Sequence, residues 1–239
     1  PARWDKAAQG VRDRVRLAEY DVPYGPGPRQ FYDLFHPGRL SKGTLIFVHG
    51  GYWKAFGPRD FSHLAAAAVA AGYAVAMPGY TLAPEARIGQ ITDEIAQAIA
   101  AIAQHTAGPL WLAGHSAGGH LVARMACADR AADWTGRVQR IMPISPLSDL
   151  APLMQTSMNA DLRIDAAEVE VESPLKHDRL EVPVTVWVGG AERPAFLDQA
   201  RWLGEAWGCE LVVEPEKHHF DVIEGLEDMR SPMMRALFA

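Results

Sequence analysis

Residues 110–120, L-W-L-A-G-H-S-A-G-G-H, limit what this chain can fold into more than any other stretch. The apolar run 110–113 has the length of a buried strand and stops at Gly114. Ser116 follows, then Ala117, Gly118, Gly119 and a helix-favouring segment from His120 to Ala128. This order predicts strand, tight turn and helix, with a serine at the apex. Such a turn strains the backbone but lifts the hydroxyl clear of the sheet. Gly114 and Gly118, two residues to either side of the serine, have no Cβ to strike the adjoining strand and helix. The Ala117 amide would open the helix, where unpaired N–H donors and the dipole favour negative charge. G-x-S-x-G alone says little; set between a strand and a helix, it suits a serine nucleophile.

The rest of the chain repeats that rhythm. Thr44–Val48 is a continuous apolar run, as expected of a strand buried on both faces. Helix 60–71 then precedes strand 73–77, helix Ile88–His105 precedes strand 110–113, and helix 116–129 precedes strand Val138–Ile144. After an interruption come strand 182–188, helix Pro194–Trp207, strand Glu210–Glu214 and a terminal helix from Val222. Alternation implies crossovers and therefore an α/β fold with a doubly wound, mostly parallel sheet. Upstream, 16–22 and 29–35 read as strands flanking the turn-rich segment 23–28, which predicts an antiparallel N-terminal hairpin at the sheet edge. Residues 1–16 carry alternating charge and read as a surface helix or an arm. Residues 145–180, with prolines at 146, 152 and 174, read as a small, partly helical insertion over the strand ends and the active site. With no repeat and no linker, 1–239 is expected to be a single domain.

Composition narrows the partners. A net charge of −6 without a block of like charges argues against nucleic acid or an anionic membrane, and leaves a small-molecule substrate. The most apolar stretch, 64–77, is broken by Gly72 and falls short of the ~20 residues a span needs. Residues 1–10 are polar and lack the apolar core of a signal peptide. Two cysteines, with no C-x-x-C, cannot make a disulfide framework. The expectation is a soluble, cytoplasmic protein, with a homodimer left open.

Chemistry gathers after the strands. His49-Gly50-Gly51-Tyr52-Trp53 follows Thr44–Val48 directly, and a glycine pair lets backbone amides turn toward a ligand. Gly50, Gly51, Tyr52 and Ala117 are the expected oxyanion-hole donors; loss of one such donor typically raises a barrier by ~3 to 4 kcal/mol. Past the strand 182–188 stands Glu192, the expected acid, with Asp149 as leading rival and then Asp198 and Asp221. Past Glu210–Glu214 stands Lys217-His218-His219-Phe220, from which His219 is taken as the base and His218 as its alternative. His49, and the histidines at 36, 63, 105, 115, 120 and 177, are expected to pack or to face solvent. Nine histidines without H-E-x-x-H give no metal site, and no G-x-G-x-x-G or Walker loop is present, so neither a metal nor another cofactor is expected.

Three segments carry a resemblance. H-G-G-Y-W at 49–53 resembles the H-G-G-x-W of serine-dependent kynurenine formamidases (arylformamidases) and differs from the H-G-G-G of the neighbouring hormone-sensitive-lipase-like esterases. Residues 78–85, P-G-Y-T-L-A-P-E, are similar to a Y-x-L-A-P-E segment of both groups. Residues 144–153, I-S-P-L-S-D-L-A-P-L, look like the family's S-G-x-x-D-L-x-P segment, and the likeness continues through 156–162, Asn159 included, and 173–175. The resemblance implies an α/β-hydrolase fold and hydrolysis of an N-formyl aryl amide such as N-formylkynurenine. Ser116 would be the nucleophile, His219 the base and Glu192 the acid, although the family often has Asp at that last position. Tyr52, Trp53 and Asn159 become candidates for substrate contact, since an aromatic wall stacks on an aryl group. A small-acyl carboxylesterase or thioesterase would use the same machinery, and a catalytically silent binding protein would keep only its shape.

Overall fold

The computed structural model describes residues 2–12, 15 and 17–239. Its strands are β1 (Ala18–Pro23), β2 (Phe31–Phe35), β3 (Thr44–Val48), β4 (Ala74–Pro78), β5 (Leu110–His115), β6 (Val138–Ile144), β7 (Thr185–Gly189) and β8 (Glu210–Glu214). They form one sheet in the order β1-β2-β4-β3-β5-β6-β7-β8. β2 runs antiparallel to both β1 and β4, and every other neighbouring pair is parallel. The hairpin read from the sequence is the β1–β2 pair, with Ala18 opposite Phe35 and Pro23 opposite Phe31; Arg16 lies outside the described residues. The helices are α1 (Ala2–Arg12), α2 (Ala65–Ala71), α3 (Ile88–His105), α4 (Ala117–Met125), α5 (Asn159–Leu162), α6 (Ala166–Glu172), α7 (Pro194–Trp207) and α8 (Pro232–Leu237).

The central strands are apolar at every position because both faces are covered. Alternation still sorts their side chains. Ile46, Val48, Leu110, Leu112, Val186 and Val188 join the core beneath α3, α4 and α7. Leu45, Phe47, Trp111, Ala113 and Trp187 join the opposite core, beneath α2 and α8. α3 presents Ile88, Ile91, Ile95, Ile99 and Ile102 to the first core, an apolar stripe at helical spacing. No helix among the described residues is long and apolar enough to cross a membrane.

Four local departures from the sequence reading have backbone causes. The helix after the serine begins at Ala117, because Ser116 has a φ of 57° and stands outside it, and it ends at Met125, short of Asp129. The expected helix 60–71 is a 3₁₀ turn, Pro58–Leu64, followed by α2. The terminal segment is a 3₁₀ turn, Val222–Glu227, and then α8, which restarts at Pro232 behind a Ser231 cap that accepts from the Met234 amide at 3.0 Å. The strand expected at 182 starts at Thr185; ahead of it the Pro183 carbonyl accepts from the Ile141 amide. At the N-terminus, α1 buries Ala8 and Val11.

Between β6 and β7 the chain is partly helical, with a 3₁₀ turn at Ala151–Gln155, then α5, α6 and a second 3₁₀ turn at Pro174–Lys176. Charges fasten its far end. Glu172, at the end of α6, is buried and accepts from Thr92 Oγ1 on α3 at 2.7 Å, from Arg124 Nε on α4 at 3.3 Å and from Arg130 Nη2 at 3.2 Å. Its carbonyl accepts from His120 Nε2 on α4 at 2.7 Å. Arg124 is itself fully buried, so its charge is tolerated only through Glu172 and Asp129. Replacing Glu172 by Ala leaves that guanidinium half-neutralised in a dry site. The expected loss is about 3 kcal/mol of unfolding free energy, read from urea denaturation; an unchanged midpoint would show that the network contributes nothing net.

Candidate active site

Ser116 sits between β5 and α4 with φ 57° and ψ −116°, a conformation that costs strain in any residue with a Cβ. Its N–H donates to the Ile144 carbonyl at 2.8 Å, and its carbonyl accepts from the His120 amide at 2.9 Å. The turn is tight because the strand and helix nearly touch. A Cβ on Gly114 would lie 2.2 Å from the Gly118 carbonyl oxygen, and one on Gly118 would lie 2.0 Å from that of Val48. Ser116 is all but buried, at 2% exposure.

The 49–53 loop crosses beside this turn. A Cβ on Gly50 would meet the His115 carbonyl oxygen at 2.7 Å. Gly51, Tyr52 and Trp53 all take positive φ, at 110°, 51° and 55°. The N–H groups of Gly51, Tyr52 and Ala117 donate to no protein acceptor among the described residues. Such donors are what a developing oxyanion needs. Residues 78–85 brace the loop from outside: Tyr80 Oη donates to the His49 carbonyl at 3.0 Å, and the Ala83 amide donates to the Trp53 carbonyl at 2.8 Å. The His49 ring stacks on Tyr80 at 4.3 Å between centroids and donates through Nδ1 to the Gly50 carbonyl at 2.8 Å, which is the structural role expected of it.

Past β7, Glu192 turns back toward the sheet. Its Oε2 is 2.6 Å from His219 Nδ1, and its Oε1 accepts from Ser145 Oγ at 2.5 Å and from the Gly189 amide at 2.9 Å. The carboxylate is fully buried and the imidazole mostly so. Phe196, at the start of α7, stacks on the His219 ring at 4.0 Å. On another side lies His115, the residue before Ser116, with ring centroids 4.6 Å apart. His115 Nε2 donates to the His219 carbonyl at 2.8 Å, so the histidine loop is tied to the serine turn. Burial, and secondarily the neighbouring His219, hold His115 well below the usual histidine range, which keeps it a neutral donor.

The rival acids are engaged elsewhere. Asp149 Oδ1 caps its own turn at the Ala151 amide, 2.9 Å away. Asp198 pairs with Arg201 at 2.8 Å, and Asp221 takes the His218 amide at 2.7 Å. His218 is exposed and faces Asp221 at 3.3 Å. Of the expected substrate contacts, Tyr52 is half-buried; burial raises its phenol, against the opposing charge of Arg193 next to Glu192. Trp53 is fully buried and meets the His120 ring edge-on at 5.0 Å, inside the core. The Asn159 amide group closes a turn, accepting from the Ile164 N–H at 2.7 Å and donating to its carbonyl at 3.1 Å. Sequence reasoning gave Ser145 no role and expected His115 only to pack or to face solvent. His115 lay inside the serine motif itself, and Ser145 stood at the head of the segment resembling S-G-x-x-D-L-x-P, but neither was given a part in the site. No cluster of three or more His, Cys, Asp or Glu side chains able to hold a metal occurs among the described residues.

Burial pushes His49 down to about 4 and His120 to about 3. Both are neutral in the fold and protonate readily once unfolded, near 6.5, so the stability they contribute is complete above pH 6.5 and is lost as pH falls through the window toward those values. NMR of the imidazole nitrogens should find both uncharged at pH 5; a charged form there would contradict this. Gly118→Ala, with backbone 2.0 Å from its new carbon, should abolish soluble folded protein or collapse activity, read by circular dichroism beside turnover.

Comparison with known proteins supports the fold. A family model of the alpha/beta hydrolase fold matches residues 45–181. Kynurenine formamidases of Salmo salar and Danio rerio are 28% and 29% identical to the chain, each over 87% of it and 76% of their own length. A crystal structure of a protein provisionally described as a thioesterase, from Silicibacter sp. TM1040, is 50% identical with a TM-score of 0.97, covering 100% of this chain and 92% of that one.

Proposed function

Because the chain belongs to the α/β-hydrolase fold family, we propose that it is a serine hydrolase that removes small acyl groups from esters or thioesters through an acyl-serine intermediate. The observation that carries this reading is the 2.6 Å contact between His219 and a buried Glu192, tied through His115 to a strained serine turn. In the reading, His219 Nε2 takes the Ser116 proton as the hydroxyl oxygen attacks the acyl carbon. The oxyanion is held by the free amides of Gly51, Tyr52 and Ala117. His219 returns the proton to the leaving oxygen or sulfur, and water, activated by the same imidazole, releases the acid and frees the serine. Glu192 keeps Nδ1 protonated and supports the imidazolium. The half-identical thioesterase-like relative supports the ester and thioester side of this reading.

A second reading, hydrolysis of an N-formyl aryl amide, is favoured by the two fish kynurenine formamidases and by H-G-G-Y-W at 49–53. Half-buried Tyr52 and exposed Phe220, beside His219, offer aromatic surface to an aryl leaving group.

The two readings part in one experiment. kcat/KM is measured for p-nitrophenyl acetate, an acetyl thioester and N-formylkynurenine, with Ser116→Ala as control. Ester or thioester preferred by two decades, about 2.7 kcal/mol of transition-state discrimination, is the expected result. The reverse preference would establish the formamidase. Ser116→Ala should lose at least about three orders of magnitude on every substrate; retained turnover would overturn the serine mechanism.

A further inference from the structure

We propose that Ser145 is a positioning residue for the acid–base pair, so that the machinery comprises four side chains; this rests on the roles given above to Ser116, His219 and Glu192. Ser145 follows the last residue of β6 and is fully buried. Its hydroxyl donates to Glu192 Oε1 at 2.5 Å, and the Gly189 amide donates to the same oxygen at 2.9 Å. The other oxygen, Oε2, faces His219 Nδ1 at 2.6 Å. Both oxygens are thereby held, and the carboxylate plane cannot turn without breaking a charge-assisted hydrogen bond. Glutamate carries one more rotatable bond than aspartate, so an acid of this length needs such a clamp to present a single oxygen to the imidazole.

The backbone at the same position argues that the hydroxyl is the reason for serine. Ser145 has a φ of 48°, in the left-handed region that favours glycine. The chain forces it there from both sides. The Ser145 amide donates to the Trp187 carbonyl of β7 at 2.7 Å, and the preceding Ile144 carbonyl receives the Ser116 amide at 2.8 Å. One peptide unit at the end of β6 therefore fixes the serine that follows β5, and the next side chain fixes the acid that follows β7. Glycine would meet the backbone demand without strain. What serine adds is the donor to Glu192.

That contrast makes the test. Ser145→Gly removes the hydroxyl and relieves the backbone, whereas Ser145→Ala removes the hydroxyl and keeps the strain. Both are compared with the parent, with Ser116→Ala and with Glu192→Gln, in hydrolysis of p-nitrophenyl acetate across pH and in thermal melting. Ser145→Gly is expected to melt at or above the parent temperature and to keep KM within about twofold. Its kcat should fall about ten- to hundredfold, the range for a hydrogen bond to a charged group. The acid limb of kcat/KM should also change, which a purely structural role would not produce. His115, from β5, is the other titratable ring against His219, and burial keeps it neutral, so it does not account for such a change. Ser145→Ala should show the same kinetic loss with a lower melting temperature. A stable Ser145→Gly enzyme with parental kcat and acid limb would overturn the proposal, as would a Ser145→Gly chain that no longer folds, which would put the residue's role in the fold. Full turnover by Ser116→Ala would instead bring down the triad itself, an outcome distinct from either.

Discussion

At Gly118 there is no room for a side chain: an added carbon would stand 2.0 Å from the Val48 carbonyl oxygen and 2.5 Å from that of His49. That backbone contact lets α4 leave β5 at so sharp an angle that Ser116 must take φ 57°. It also brings the end of β3 against the start of α4, so the 49–53 loop lies beside the serine turn. The remaining pieces reach the same edge because β3, β5, β6, β7 and β8 run parallel and end together. Were a larger residue required at 118, the helix would tilt away, and the donors, the serine and the histidine loop would lose their common address.

How far the sequence disclosed this depends on whether each feature is local. Central strands such as Thr44–Val48 were legible because burial on both faces demands unbroken apolar runs, and α3 because its isoleucines recur at helical spacing. The 3₁₀ turns at Pro58–Leu64 and Val222–Glu227 were not, since an apolar stripe cannot distinguish them from α-helix over so few residues. Ser116, Glu192 and His219 could be chosen by position, each following a strand in the expected order. Ser145 could not. Its significance arises from a left-handed backbone and from a partner 47 residues away. Trp53 and Asn159 show the converse limit. Their neighbours in sequence suggested a substrate, but the direction of a side chain is set by packing, and these two turn to His120 and to Ile164.

The ester and formamide readings differ most at one step. A phenolate or thiolate can depart without a proton, whereas an amine must receive one as its bond to the acyl carbon breaks. Amide cleavage thus asks more of the imidazole's orientation than ester cleavage does. The His219 ring is held on several sides, by Glu192 at Nδ1, by Phe196 against its face and by His115 through the backbone. So constrained an imidazole would suit either leaving group, and under either reading discrimination would fall to the surfaces around Tyr52 and Phe220.

The charges that secure Glu172 have a consequence for how such a protein changes over generations. The stretch between β6 and β7 is riveted at its far end, through Thr92, Arg124 and Arg130. Its nearer portion, residues 151–162, depends on lighter ties such as the Lys54–Asp161 ion pair and the turn closed by Asn159. Insertions and replacements in that nearer portion leave the rivets untouched. Descendants can therefore remodel that nearer portion while inheriting the anchorage whole, and diversification of the one part proceeds without renegotiating the other.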